Sequence, residues 1–308
     1  MANRPKAVSQ MTTAQFEDRF PIGDDEACLK YLVARRWPLG VQCPRCGNSE
    51  VYDASAYKPF HWQCVECSEA GPYRFSALVG TIFENTKKPL RDWFRVAHFM
   101  LSSKKGMSAL QIQRMMGFGS YETAHSMCHK IRAALIAPEQ KLGGIVEVDE
   151  TFIGGKAKNK HYAKGRGGKG RGGIGSGKVP VVGAVTRKGN VVARVLKSVT
   201  RDELSQFVTE TVSEKVSLLV TDQWIGYHGL KQVYGDRHQI IRHADHEYVV
   251  GAVHTNTIEG FWSIFKRGVV GTFHKVSAKY LPLYVAEFQF RYNNRSNPDM
   301  FATAIAGC

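Results

Sequence analysis

The sequence predicts an α/β protein in which a metal-stapled, helical amino-terminal part precedes a strand-rich part that carries acids, and three observations support this. Two Cys-x-x-Cys pairs, Cys43-Pro-Arg-Cys46 and Cys64-Val-Glu-Cys67, stand about seventeen residues apart, a spacing that suits a zinc ribbon. Helical periodicity runs up to Pro138 and Gly143-Gly144, after which β-prone runs take over. Two of those runs hold carboxylates: Ile145-Val-Glu-Val-Asp-Glu-Thr-Phe-Ile-Gly-Gly155 in its middle, and Val216-Ser-Leu-Leu-Val-Thr-Asp222 at its end. The expected organisation is a helical segment at 1–38, a zinc ribbon at 39–80, a helix-turn-helix region at 81–140, and an α/β domain at 141–308 with a basic Gly-rich loop at 156–178.

Composition narrows the partners. The chain has 308 residues, 43% of them hydrophobic, which is enough for a substantial core. Lys plus Arg number 42 against 27 for Asp plus Glu, a formal net charge of +15. Such an excess favours a polyanion through counterion release, without by itself separating DNA from RNA or an anionic membrane. No run is long and apolar enough to span a bilayer, and the opening Met1-Ala-Asn-Arg-Pro-Lys-Ala lacks the apolar core of a signal peptide. The expectation is a soluble, cytoplasmic protein. In that reducing compartment the two cysteine pairs point to a closed Zn²⁺ site of four thiolates rather than to disulfides or redox chemistry. Cys28, Cys128 and Cys308 lack such partners and read as core or surface thiols.

Taken in order, Thr13 to Phe20 and Asp24 to Arg36 read as helices, the second with acids at its start and arginines at its end to match the helix dipole. Pro89 to Leu101 is amphipathic, and His98 sits in its apolar company as a core residue. Met107 to Met116, a turn at Gly117-Phe-Gly-Ser120, and Tyr121 to Arg132 outline two short helices, with Ser120 as cap of the second. A helix-turn-helix would present Thr123, His125, Ser126, His129, Lys130 and Arg132 to DNA, whereas a plain αα-hairpin would not.

In the strand at Ile145, alternation sends Val146 and Val148 to one side and Glu147, Asp149 and Thr151 to the other. Such an acidic face either meets a divalent cation or is a solvated edge. The segment after it is basic and glycine-rich. Gly165 to Gly170 and Gly172 to Lys178 imitate phosphate-binding motifs, but the strand and helix contexts those motifs need are missing. Lys164, Arg166, Lys169, Arg171 and Lys178 fit better as cations laid along a nucleic-acid backbone. Val179 to Thr186 and Val191 to Leu196 form a hairpin around Arg187-Lys-Gly-Asn190, giving a three-stranded antiparallel meander with the first strand. A helix follows from Thr200 or Arg201 to about Val212. Asp222 then either serves a site at a strand end or caps a helix beginning near Trp224. Arg237 to His243 adds a strand. On a helix from His254 to Arg267, Ile258, Phe261, Trp262 and Phe265 share one face while Asn256, Glu259, Ser263 and Lys266 share the other. A last helix near Ser277 to Tyr292 has Leu281, Tyr284, Val285, Phe288 and Tyr292 as its core stripe.

This order of elements is that of an RNase H-like fold, in which acids from the first strand, the fourth strand and a later helix converge; Asp149, Asp222 and Glu259 fit those places. Val148-Asp-Glu-Thr-Phe-Ile-Gly-Gly155, Thr221-Asp-Gln-Trp-Ile-Gly-Tyr227, the stretch from His254 to Arg267, and Glu287-Phe-Gln-Phe-Arg-Tyr-Asn293 resemble bacterial insertion-sequence transposases of the DDE class, in the group related to Merlin elements. The cysteine pairs resemble that group's amino-terminal ribbon, so the likeness covers nearly the whole chain. It implies Asp149, Asp222 and Glu259 as catalytic acids holding Mg²⁺ or Mn²⁺, Lys266 as the accompanying lysine, and Asn256 as a neighbouring or alternative ligand. It further implies binding of the element's terminal inverted repeats in double-stranded DNA, cleavage and strand transfer, and a homodimer or larger assembly. Two other readings use the same motifs: a DNA-binding regulator with an inactive nuclease-like domain, and a nuclease that does not join strands.

Overall fold

The computed structural model describes residues 12–68, 71–138, 140–155, 178–241 and 254–308. The chain divides into two compact units, Met1–Leu135 with Ser296–Cys308, and Ile136–Arg295.

In the first unit, α1 (Thr13–Arg19) opens with a reciprocal cap: Thr12 Oγ1 accepts the Gln15 N–H, and Gln15 Oε1 accepts the Thr12 N–H. α2 (Asp25–Arg36) is capped by Asp24. Three short strands, β1 (Val51–Asp53), β2 (His61–Cys64) and β3 (Tyr73–Ser76), pair antiparallel in sequence order. The helices α3 (Leu90–Ser102), α4 (Ala109–Met116) and α5 (Tyr121–Ala134) follow. An aromatic cluster of Phe16, Phe20, Phe94 and Phe301 forms the centre, and His98 stacks on Phe16 with ring centroids 4.9 Å apart, buried as its apolar neighbours require.

The second unit is a mixed sheet with helices on both faces. Its strands are β4 (Ile145–Ile153), β5 (Val179–Thr186), β6 (Val191–Val195), β7 (Leu218–Asp222) and β8 (His238–Ile241), in spatial order β6-β5-β4-β7-β8. The first three pair antiparallel as a meander, and β7 and β8 add in parallel beside β4. One face is covered by α6 (Arg201–Thr211), a 3-10 turn (Ile225–Leu230) and α7 (Lys231–Tyr234), through Val146, Val148, Leu204, Phe207, Leu219 and Tyr227. The other is covered by α8 (Asn256–Gly268) and α9 (Leu281–Asn293), through Val181, Val185, Ile258, Trp262, Phe265 and Phe288. Burial on both faces explains why β5 reads as an unbroken apolar run rather than an alternating one. The outer edge of β6 is closed by side chains: Asn293 Oδ1 accepts the Val191 N–H at 2.8 Å and Gln289 Oε1 accepts the Ala193 N–H at 2.9 Å. This topology, with two parallel strands added to an antiparallel meander, is RNase H-like.

The structure departs from the sequence-based boundaries at three places. The second unit ends at Arg295, and α10 (Met300–Ala306) packs in the first unit through Phe301, because that ring completes the aromatic cluster. Trp224 introduces a 3-10 turn rather than an α-helix. The last long helix starts at Leu281, after a turn from Ser277.

Candidate metal centre and nucleic-acid interface

The four ribbon cysteines converge, with Cys43 and Cys67 sulfurs 4.0 Å apart and those of Cys46 and Cys64 3.6 Å apart. A tetrahedral zinc with Zn–S near 2.3 Å requires sulfurs about 3.8 Å apart, so the donor set fits Zn²⁺. Each pair forms a knuckle in which a backbone amide points at sulfur: Arg45 N–H to Cys43 Sγ and Cys67 N–H to Cys64 Sγ, both at 3.4 Å. Gly47, at φ +79°, lets the first knuckle turn sharply enough for its N–H to reach the Cys43 carbonyl at 2.9 Å. Trp37, Trp62, Tyr73 and Phe75 pack around the sulfurs.

In the second unit, the parallel β4–β7 register pairs Glu147 with Val220. Carried two residues further, it brings Asp149 level with Asp222 at the carboxyl end of β7. Asp149, Glu150 and Asp222 each place an oxygen within 4.8 Å of the others. Burial pushes the Asp149 carboxyl up to about 7, and repulsion from Glu150, Asp222 and Glu259 adds to it. Glu150 is also raised by burial, while a hydrogen bond from the Tyr227 hydroxyl to its Oε2 at 2.7 Å pulls the other way. Three hard oxygen donors that crowd and repel one another fit a divalent cation such as Mg²⁺ or Mn²⁺. Asp222 also forms a local turn, its Oδ1 accepting the Trp224 N–H at 3.0 Å, so the turn and the cluster share one side chain.

Strand alternation sends Glu150 to the face opposite Asp149, yet its carboxylate joins the group. The paired β4–β7 ladder stops at Glu147, and beyond that point carboxylates from both faces of β4 meet Asp222. A signal existed in Trp224-Ile-Gly-Tyr227: a buried tyrosine just after an acid-ending strand needs an acceptor. Glu259 lies in the first turn of α8, near enough to raise Asp149 but outside the group of three, and its Oε1 accepts the Thr255 hydroxyl at 3.0 Å. Asn256, Ser263 and Lys266 share its exposed stripe.

The α4–α5 pair turns at Gly117, which is left-handed at φ +66°, and Ser120 Oγ accepts the Glu122 N–H at 3.1 Å. On α5, two of the residues expected to contact DNA are buried. Arg132 is 1% exposed and His129 8%, because Ala124, Met127, Cys128 and Ile131 turn that side of the helix into the core. Ser126 and Lys130 are exposed, and Thr123 and His125 half-buried. Lys178 is half-buried just before β5, while Lys164, Arg166, Lys169 and Arg171 lie outside the described residues. Among the described residues, no helix is long and apolar enough to cross a membrane.

Comparison with known proteins agrees with this arrangement. Residues 141–293 match the ISXO2-like transposase domain, and residues 23–70 match the transposase zinc-ribbon domain. The chain is 27% identical over 268 residues to an uncharacterized protein in transposable element ISH50 of Halobacterium salinarum, covering 84% of this chain and 88% of that one. No solved structure matches the chain. With an amino-terminal transposase zinc ribbon followed by an ISXO2-like domain on an RNase H-like sheet, the chain belongs to the insertion-sequence transposases.

Proposed function

We propose that the protein binds the terminal inverted repeats of its own element, cuts DNA at those ends, and joins the freed 3′ hydroxyls to target DNA. The observation that carries this reading is the convergence of Asp149, Glu150 and Asp222 at the strand ends, with Asp149 pushed up to about 7 by burial and like charge. Asp149 and Asp222 would hold Mg²⁺ or Mn²⁺, with Glu150 close enough to share the ion and Glu259 at the margin of the same site. Bound there, a pair of such ions lowers the pKa of the attacking water or hydroxyl and stabilises the leaving oxygen. Asn256 supplies a neutral oxygen donor one turn before Glu259, and Lys266 places an ammonium two turns beyond it on the same stripe, suited to a phosphate.

The zinc ribbon and the α4–α5 pair would hold the element end. On α5 the accessible Thr123, His125, Ser126 and Lys130 take the contacts, with the basic segment at 156–178 adding backbone cations. Because two ends are joined in one event, the working form is a homodimer or larger assembly on DNA. Purified protein incubated with labelled element ends and Mg²⁺ should nick at the element boundary and yield joined products. Sequence-specific binding without Mg²⁺-dependent strand chemistry would favour a regulator instead, and cleavage without joining would favour a nuclease.

A further inference from the structure

Glu147 lies two residues before Asp149 on the same face of β4 and has no exposed surface. A carboxylate in that setting is strongly destabilising unless donors surround it. Here they do. Its Oε2 accepts the N–H groups of Thr257 at 2.8 Å and Ile258 at 3.1 Å. Its Oε1 accepts the Thr257 hydroxyl at 2.9 Å and Arg187 Nε at 2.6 Å, with His254 Nδ1 at 3.3 Å. Arg187 also donates from Nη2 to the His254 carbonyl at 2.9 Å, tying the residues that lead into α8 to the same group.

The two amides belong to the first turn of α8, where a helix needs an acceptor and where its dipole favours an anion. The residue placed to serve them is Thr255, yet it makes no capping hydrogen bond. Its hydroxyl is turned instead to Glu259 Oε1. The cap is therefore supplied from β4, and the residue released from capping holds Glu259.

We infer that Glu147, paired with Arg187, is a positioning residue that clamps the first turn of α8 to β4 and thereby sets the Glu259 carboxylate relative to Asp149. This rests on the metal-site reading above. Glu147 touches neither metal nor DNA; it acts through the helix it holds.

The test uses the full-length, zinc-loaded protein, with Mn²⁺ as probe and binding followed by electron paramagnetic resonance. Glu147→Gln should weaken Mn²⁺ binding by about 10-fold, in the range seen when a group supporting a ligand is lost. It should also speed hydrogen exchange at the Thr257 and Ile258 amides. In a Glu259→Gln background the same change should weaken Mn²⁺ binding by less than about 2-fold, since its effect passes through the missing carboxylate. Unchanged affinity in Glu147→Gln, or a full additional loss in the double variant, overturns the inference. If Glu147→Gln does not fold, Thr257→Val removes one donor and leaves the Arg187 pair in place; it should weaken binding about 2- to 3-fold, and no change would again overturn the inference. Asp149→Asn separates the two levels. If it leaves Mn²⁺ affinity intact, the metal-site reading itself is wrong; if it abolishes binding while Glu147→Gln has no effect, only the positioning role fails.

Discussion

Gly183→Ala is a small change that should disturb the site from the far side of α8. Gly183 pairs with Asp149 across the β4–β5 ladder. A Cβ added there would stand 2.8 Å from Trp262 Cζ2, 3.0 Å from Trp262 Cη2 and 3.1 Å from Ile258 Cδ1. Carbon atoms rest at about 3.5–4.0 Å, so the helix must retreat by roughly 1 Å. Trp262 has little room to turn, because it is 3% exposed and packed against Phe261 and Phe265. Overpacking of this kind costs about 1–3 kcal/mol, which for a unit of this size lowers Tm by roughly 2–12 °C. Since Glu259 rides on the same helix, an ångström of displacement should slow Mg²⁺-dependent cleavage by about 100-fold at temperatures where the protein stays folded. Thermal melts and cleavage of labelled ends measure the two effects separately. Unchanged Tm would refute the packing argument, and lowered Tm with unchanged cleavage would show that Glu259 has no part in the chemistry.

Metal and pH should be linked through Asp149. Its folded pKa of about 7 lies above the ordinary value of 3.8. Below about pH 4 both states hold the proton and nothing is contributed; between about 4 and 7 the unfolded state ionises first, so metal-free stability falls as pH rises, by up to roughly 4 kcal/mol. Urea melts of the zinc-loaded protein without added Mg²⁺ and with excess Mg²⁺ should diverge above about pH 5, and parallel curves across that range would contradict the shift. Stripping zinc should unfold the ribbon, since binding to four thiolates is worth on the order of 10 kcal/mol, and DNA binding should go with it; retained affinity after Cys64→Ser would count against the ribbon's role. On α5, Lys130→Ala should weaken DNA binding and reduce its salt dependence by about one counterion while leaving Tm unchanged. Arg132→Ala should instead lower stability by more than about 1 kcal/mol, and the reverse pattern would invert the assigned face.

The sequence carried the elements whose pattern is local. The acid-bearing strand at Ile145, the hairpin around Arg187 to Asn190 and the apolar stripe of α8 follow from periodicity, and the cysteine spacing follows from the geometry of a metal knuckle. What it did not carry depends on contacts between distant segments. Glu150 joins the acids because the β4–β7 ladder ends early, and Glu147 is buried because residues more than a hundred positions away supply its donors. Arg132 is buried because α3 and α4 pack against α5 and widen its buried arc, and α10 belongs to the first unit because an aromatic cluster there takes Phe301.

The central claim is that the acids at the ends of β4 and β7 perform strand chemistry on the element's own DNA. The most direct measurement is cleavage and joining of labelled element ends in Mg²⁺ by the wild-type protein, Asp149→Asn and Asp222→Asn, each checked for folding and end binding. Loss of both products by at least about 1,000-fold in either variant, with end binding retained, is the expected result. Full activity in both variants would contradict it.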